Sequence, residues 1–173
     1  MAAGSTRSRL PWLVGLVLSA MLGSLIAAPA PVAAAPTTGV QPPAVVPGPT
    51  YLADLTTVSG GFGTGSVEID GTTYGRSIWS RWLSSDETAE YNLGRHYRRF
   101  VATIGILDDA STDAASTFEL RADGVAIYTR RLTLGQHVVV NVPVTHRLRL
   151  AVTFRDNQGG NCRAGWGNAR LSR

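Results

Sequence analysis

The chain has 173 residues, and its 16 basic against 12 acidic residues, with arginine supplying every Lys/Arg position, give a formal charge of +4. So small an excess is no nucleic-acid footprint, and the high pI owes as much to the arginine pKa as to the charge count. The single cysteine, Cys162, excludes an internal disulfide framework, so stability has to come from packing.

The N-terminal segment reads as targeting rather than fold. Arg7 and Arg9 precede an apolar run from Leu10 to about Ile26, followed by Ala-x-Ala sites at Ala28-Pro29-Ala30 and Ala33-Ala34-Ala35. This is the pattern of a signal peptide over residues 1–35, cleaved after Ala35. An uncleaved anchor is the alternative, because the run approaches the length of about 20 residues that spans a bilayer. Small residues and prolines directly after the run favour cleavage, which leaves a secreted, extracellular chain without membrane insertion. Residues 36–50 carry no charge and no apolar periodicity, and Pro36, Pro42, Pro43, Pro47 and Pro49 make them a semi-rigid Pro-rich linker. Residues 51–173 are the size of one ordinary domain, too short for most multidomain enzymes.

From Tyr51 onward the pattern has period two, the strand signal. Candidate strands in chain order are Tyr51 to Leu55, Val67 to Ile69, Ser77 to Leu83, Thr88 to Leu93, Phe100 to Ile106, Phe118 to Ala122, Val125 to Leu132, Val138 to Val142, Arg147 to Arg155 and Trp166 to Leu171. The clearest alternation sets Leu148, Leu150, Val152 and Phe154 against Arg147, Arg149, Ala151, Thr153 and Arg155: one face for the core, one for water. The run Gly60-Gly61-Phe62-Gly63-Thr64-Gly65 has no helix after it and no lysine to reach a phosphate, so it is expected to be a flexible surface loop. Asp70-Gly71 and Asp123-Gly124 are hairpin dipeptides. About ten short strands separated by turns, with no amphipathic helix, predict an all-β fold, an antiparallel β-sandwich of jelly-roll type.

Enzyme signatures are missing: there is no Gly-x-Ser-x-Gly elbow and no His-Glu-x-x-His motif, and His96, His137 and His146 lack ligand spacing. The chain is therefore read as non-catalytic. Asp108 and Asp109 with Asp113 place three carboxylates in a Ser/Thr-rich loop, which suits either a Ca²⁺ site or a solvated turn. Arg95, Arg98 and Arg99 form a basic cluster, and Arg147, Arg149 and Arg155 share a strand face; arginines so spaced either clamp an anionic polysaccharide or form the wet side of a sheet. Trp79 and Trp82, three apart, point to opposite faces of an unbroken strand, so one of them is a candidate to stack on the C–H face of a sugar. Trp166 is expected in the core. Cys162, with no partner in the sequence, is expected to be a free thiol; its surroundings, Gly159-Gly160-Asn161 and Arg163-Ala164-Gly165, read as a loop beside the final strand that leaves room for partial exposure and intermolecular dimerisation.

Several stretches resemble the NPCBM family, the carbohydrate-binding module associated with family 98 glycoside hydrolases. They are Tyr51-Leu52-Ala53-Asp54-Leu55, Gly71-Thr72-Thr73-Tyr74, Glu90-Tyr91-Asn92-Leu93-Gly94-Arg95, the run from Tyr97 to Asp109, Ala122-Asp123-Gly124, and Trp166-Gly167-Asn168-Ala169-Arg170-Leu171. The resemblance implies a jelly-roll sandwich that binds polysaccharide or glycan, as an accessory module of glycoside hydrolases, with a structural Ca²⁺. Where relatives carry Gly-Val-His after the tyrosine matching Tyr74, this chain has Ser77-Ile78-Trp79-Ser80-Arg81-Trp82, and the cysteine that relatives pair with the one matching Cys162 is missing. A site built from Trp79, Arg81, Trp82, Asp108, Asp109, Asn157 and Asn161 on loops at one end of the sandwich is the expectation. The alternative is a protein-interaction or envelope-structural module that keeps the fold without the sugar site.

Overall fold

The computed structural model describes residues 48–81, 86–156 and 161–173. The expected signal peptide and most of the linker lie outside the described residues, as do Trp82 and Asn157. Among the described residues no helix is long and apolar enough to cross a membrane.

The strands in chain order are β1 (Thr50–Tyr51), β2 (Thr57–Gly60), β3 (Gly63–Ile69), β4 (Thr72–Trp79), β5 (Glu87–Asn92), β6 (Arg99–Ile106), β7 (Ala115–Ala122), β8 (Val125–Thr133), β9 (His137–Pro143), β10 (Arg149–Asp156) and β11 (Ala164–Ser172). A 3-10 turn, Leu52–Asp54, follows β1. The first sheet runs β3-β4-β11-β6-β9 with β1 also on β11, and the second runs β2-β5-β10-β7-β8. Every pairing is antiparallel. This is the expected sandwich, and the alternation explains it: Phe100, Ala102, Ile104 and Ile106 of one sheet and Phe118, Leu120, Ala122, Leu150, Val152 and Phe154 of the other are all buried. Trp166, fully buried, sits at the centre with its ring centroid 5.7 Å from Phe100, 5.6 Å from Phe118 and 6.3 Å from Phe154, all edge-on. Each such ring contributes about 1.5–3 kcal/mol by leaving water.

Four sequence expectations are corrected. Tyr51 to Leu55 is not one strand, because Leu52 turns inward within the 3-10 segment, where the Leu55 N–H returns to the Leu52 carbonyl at 3.1 Å. The glycine run at 60–65 is not a surface loop: its ends belong to β2 and β3, and Phe62 is a core residue whose ring meets Phe154 at 4.9 Å. Leu148 precedes β10 and is exposed, so the inward series begins at Leu150. The strand expected at Ser77 to Leu83 begins earlier, at Thr72, and ends at Trp79, with Ser80 and Arg81 outside it and Trp82 and Leu83 beyond the described residues.

The β3–β4 hairpin positions the site. Trp79 pairs with Gly165 and Ile78 with Trp166, but beyond a register shift between Gly65 and Val67 the arm leaves β11 and folds across the outer face of its own sheet. Val67, Ile69 and Leu107 form a second apolar cluster there, with Tyr74 and Trp79 packed against it. Glycines make the floor. A Cβ on Gly105 would lie 2.3 Å from Ile69 Cγ2, one on Gly165 2.8 Å from Leu107 Cδ1, and one on Gly167 2.7 Å from the Tyr74 ring.

Candidate functional site

Where the folded arm meets the end of β6, the surface sinks into a pocket of about 270 Å³ lined by Glu68, Trp79, Leu107, Asp108, Asp109 and Arg163 among others. Trp79, the last residue of β4, lies flat over β3: a Cβ on Gly63 would come within 2.3 Å of its indole, and one on Gly65 within 3.4 Å of the far edge. A side chain at Gly63 would push the ring off the strand, whereas at Gly65 the ring is in ordinary contact range and it is the backbone, at φ 139, that favours glycine. The indole is therefore a half-buried apolar wall, and Leu107 continues the apolar surface below it.

The opposite wall is polar. Asp108 follows β6, its N–H donating to the Glu68 carbonyl at 3.2 Å, and its carboxylate accepts the N–H groups of Asp70 and Gly71 at 2.7 and 2.8 Å. The tip of the arm is thus tied to the strand it crosses. The tip is held from the other side as well, by Asp70 Oδ2 against His137 Nδ1 at 2.9 Å. Asp109 forms an ion pair with Arg163 from the segment before β11. The Leu107 N–H donates to the Arg163 carbonyl at 2.8 Å, so backbone and side chains together join the β6–β7 and β10–β11 segments.

Of the residues expected in the site, Trp79, Asp108 and Asp109 are brought together. Asn161 stands beside them, its side-chain amide donating to the Asp109 carbonyl at 3.4 Å and its own carbonyl accepting the Ser111 N–H at 2.9 Å, but it does not line the pocket. Arg81 is elsewhere. Its guanidinium donates to the Phe62 carbonyl at 2.7 Å and its N–H to Glu87 Oε2 at 3.0 Å, in a separate depression lined also by Leu52, Thr57 and Tyr91. Trp82 and Asn157 lie outside the described residues.

Asp108, Asp109 and Asp113 do not fit a calcium ion as a set. Both oxygens of Asp108 already accept backbone N–H groups and Asp109 is paired with Arg163, and among the described residues no group of three or more His, Cys, Asp or Glu side chains converges as a metal requires. Among the pocket residues missed from sequence, two are charged, Glu68 and Arg163. Glu68 alternates with buried Val67 and Ile69, which marks it only as outward-facing, and Arg163 carries no local signal because its partner is 54 residues away.

Comparison with known proteins gives the family and the fold. The family model described as NPCBM/NEW2 domain matches residues 48–172. The solved structure of CBM51 from Clostridium perfringens GH95 in complex with methyl-galactose superposes with a TM-score of 0.61 at 20% identity, covering 72% of this chain and 100% of that one. CBM51-2 with GlcNAc and INT domains from Clostridium perfringens ZmpB gives 0.59 at 18% identity over 73% of this chain and 32% of that one. The tandem CBM51 modules of the family 98 glycoside hydrolase from Streptococcus pneumoniae SP3-BS71 give 0.60 at 17% identity over 72% and 47%. A comparison with curated proteins returns no match.

Proposed function

This chain belongs to the NPCBM/NEW2 domain family, and from that premise we propose that it is a secreted, non-catalytic carbohydrate-binding protein whose sugar site is the Trp79 pocket. The observation that carries the reading is the pairing of one half-buried indole with convergent charged groups in a concave surface. A sugar ring offers an apolar C–H face and a rim of hydroxyls; Trp79 supplies the stacking surface, while Asp109, Glu68 and Arg163 supply acceptors and donors at its rim. An interaction module would instead favour a broad apolar patch, and among the described residues the large exposed hydrophobics, Val58, Val125, Val139 and Leu148, do not line the Trp79 pocket.

The test is a glycan array probed with the exported protein, including galactose- and GlcNAc-terminated glycans. Binding that disappears in Trp79→Ala and persists in Arg81→Gln supports the assignment. An array without binding, or binding insensitive to Trp79, overturns it. N-terminal sequencing of the exported material should begin at Pro36.

A further inference from the structure

A second concave surface is built from different segments. It is a cleft of about 580 Å³ lined by Arg95, His96, Tyr97, Arg98, Thr145 and His146, on the β5–β6 and β9–β10 connections. Among the described residues no acidic one lines it. The composition is the reverse of the Trp79 pocket, where carboxylates dominate.

Three features set this cleft apart from an ordinary solvated rim. The two connections are stitched into one unit: the Arg95 N–H donates to the Arg147 carbonyl at 3.1 Å, the Leu93 N–H to the Leu148 carbonyl at 2.8 Å, and the Val144 N–H to the Arg98 carbonyl at 2.8 Å. Each connection also holds a long or ring-bearing side chain in left-handed backbone, Arg95 at φ 61 and His146 at φ 62, where such residues are uncommon and glycine would cost less. Gly94, at φ 55, lets the His96 ring lie back over the turn, since a Cβ there would meet His96 Cδ2 at 2.8 Å. Third, the cationic groups are unmatched. Among the described residues Arg95 and Arg98 form no ion pair, as is also true of Arg130 and Arg131 on β8, but only the former two stand together in a concave surface with histidines and a tyrosine ring. Arg173 adds a further guanidinium 5.9 Å from the Tyr97 ring.

We propose that this cleft is a second ligand site, for an acidic polysaccharide bearing carboxylate or sulfate groups. Two guanidinium forks match such anions bidentately, His96, His146 and Thr145 offer further polar contacts, and the half-buried Tyr97 ring gives a sugar a face to rest on. A nucleic acid carries anions too, but the small net charge of the chain is far from the basic excess that such binding requires. The site is separate from the Trp79 pocket and does not depend on its assignment.

Affinity electrophoresis of the full chain through gels containing dextran sulfate, polygalacturonate or neutral dextran tests this. Retardation by at least one of the two polyanions, weakening with salt, and none by neutral dextran is expected. The double variant Arg95→Asn/Arg98→Gln, with Asn chosen because it tolerates left-handed backbone, should lower the apparent affinity about tenfold. Arg130→Gln/Arg131→Gln, which removes the same charge from exposed positions on β8, should leave it unchanged. Should the Arg95/Arg98 variant fail to fold, hydrogen exchange on the unaltered chain replaces it, and dextran sulfate should protect residues 93–98 and 144–147. The proposal is overturned by indifference to both polyanions, by equal losses in the two arginine pairs, by protection confined to other segments, or by tighter binding to duplex DNA than to either polysaccharide.

Discussion

Asp108 holds Gly71 across the outer face of the first sheet: its Oδ2 accepts the Gly71 N–H at 2.8 Å while Oδ1 accepts that of Asp70 at 2.7 Å. One carboxylate thereby closes the tip of the β3–β4 arm onto the strand it crosses and shapes the Trp79 pocket from below.

Removing it should loosen the arm without unfolding the sandwich. Asp108→Ala is expected to cost about 1–2 kcal/mol, the worth of two charge-assisted bonds at an exposed site, with Asp108→Asn losing less because one acceptor remains. Urea denaturation measures the loss. Hydrogen exchange should rise at the Asp70 and Gly71 amides and not in β6, β7 or β10; a uniform rise would mean that the carboxylate supports the whole domain.

Gly63 is expected to be a specificity position although it bears no side chain. A Cβ there would fall 2.3 Å from Trp79 Cε2, and the ring can move only off the strand. Gly63→Ala should therefore weaken glycan binding by about 1–3 kcal/mol, comparable to losing a well-packed aromatic contact, with a smaller loss in stability. Titration calorimetry beside thermal unfolding separates the two; an unchanged affinity would show that the indole is not the stacking surface.

Acid should destabilise the second sheet first. Glu119 on β7 is buried between Arg121 and Arg155, and the hydrogen bond from Arg121, reinforced by the one from Arg155 at 3.0 Å, holds its carboxyl below the usual carboxylate range against the opposing effect of burial. A depressed folded pKa means stability that is present above the unfolded value, about 4.3, and lost as pH falls through the folded value. Melting temperature should drop over that interval, and Glu119→Gln should be less stable at neutral pH with a flatter acid limb. An identical acid limb in wild type and variant would assign the transition to other carboxylates.

Cys162 is buried, and its thiol donates to the Ala115 carbonyl at 3.2 Å, so the room for partial exposure that its loop-like surroundings left is not taken up. It should react slowly with thiol reagents in the native protein and quickly after denaturation, and non-reducing electrophoresis should show a monomer. Rapid labelling of the native chain would contradict this.

The strands were legible in the sequence where a single face is buried, as in β6, β7 and β10, because period two survives wherever one side meets the core. It fails where both faces are covered. Ile106-Leu107 looks like a break in alternation, yet Ile106 faces the sandwich core and Leu107 the cluster under the folded arm. The glycine run is read as a loop for a related reason: the bare position at Gly63 reflects an indole that arrives from Trp79, and a partner on another strand leaves no local mark. Asp108 and Asp109 were found because paired carboxylates in a loop are visible in one dimension. Arg163 was not, since only the fold brings it to Asp109.

The pairing of β1 with β11 also decides how the domain answers to mechanical load. Thr50 stands opposite Leu171 and Tyr51 opposite Arg170, so the strands entering and leaving the domain are hydrogen-bonded side by side and run in opposite directions. Tension applied between the segment before Thr50 and the segment after Leu171 therefore falls along the hydrogen bonds themselves and opens them one after another, as a zip, rather than loading them together in shear. The two-residue β1 is the first pairing to open, and further extension has to draw Leu52 of the 3-10 turn out of the core, where Phe100, Phe118, Phe154 and Trp166 pack between the two sheets.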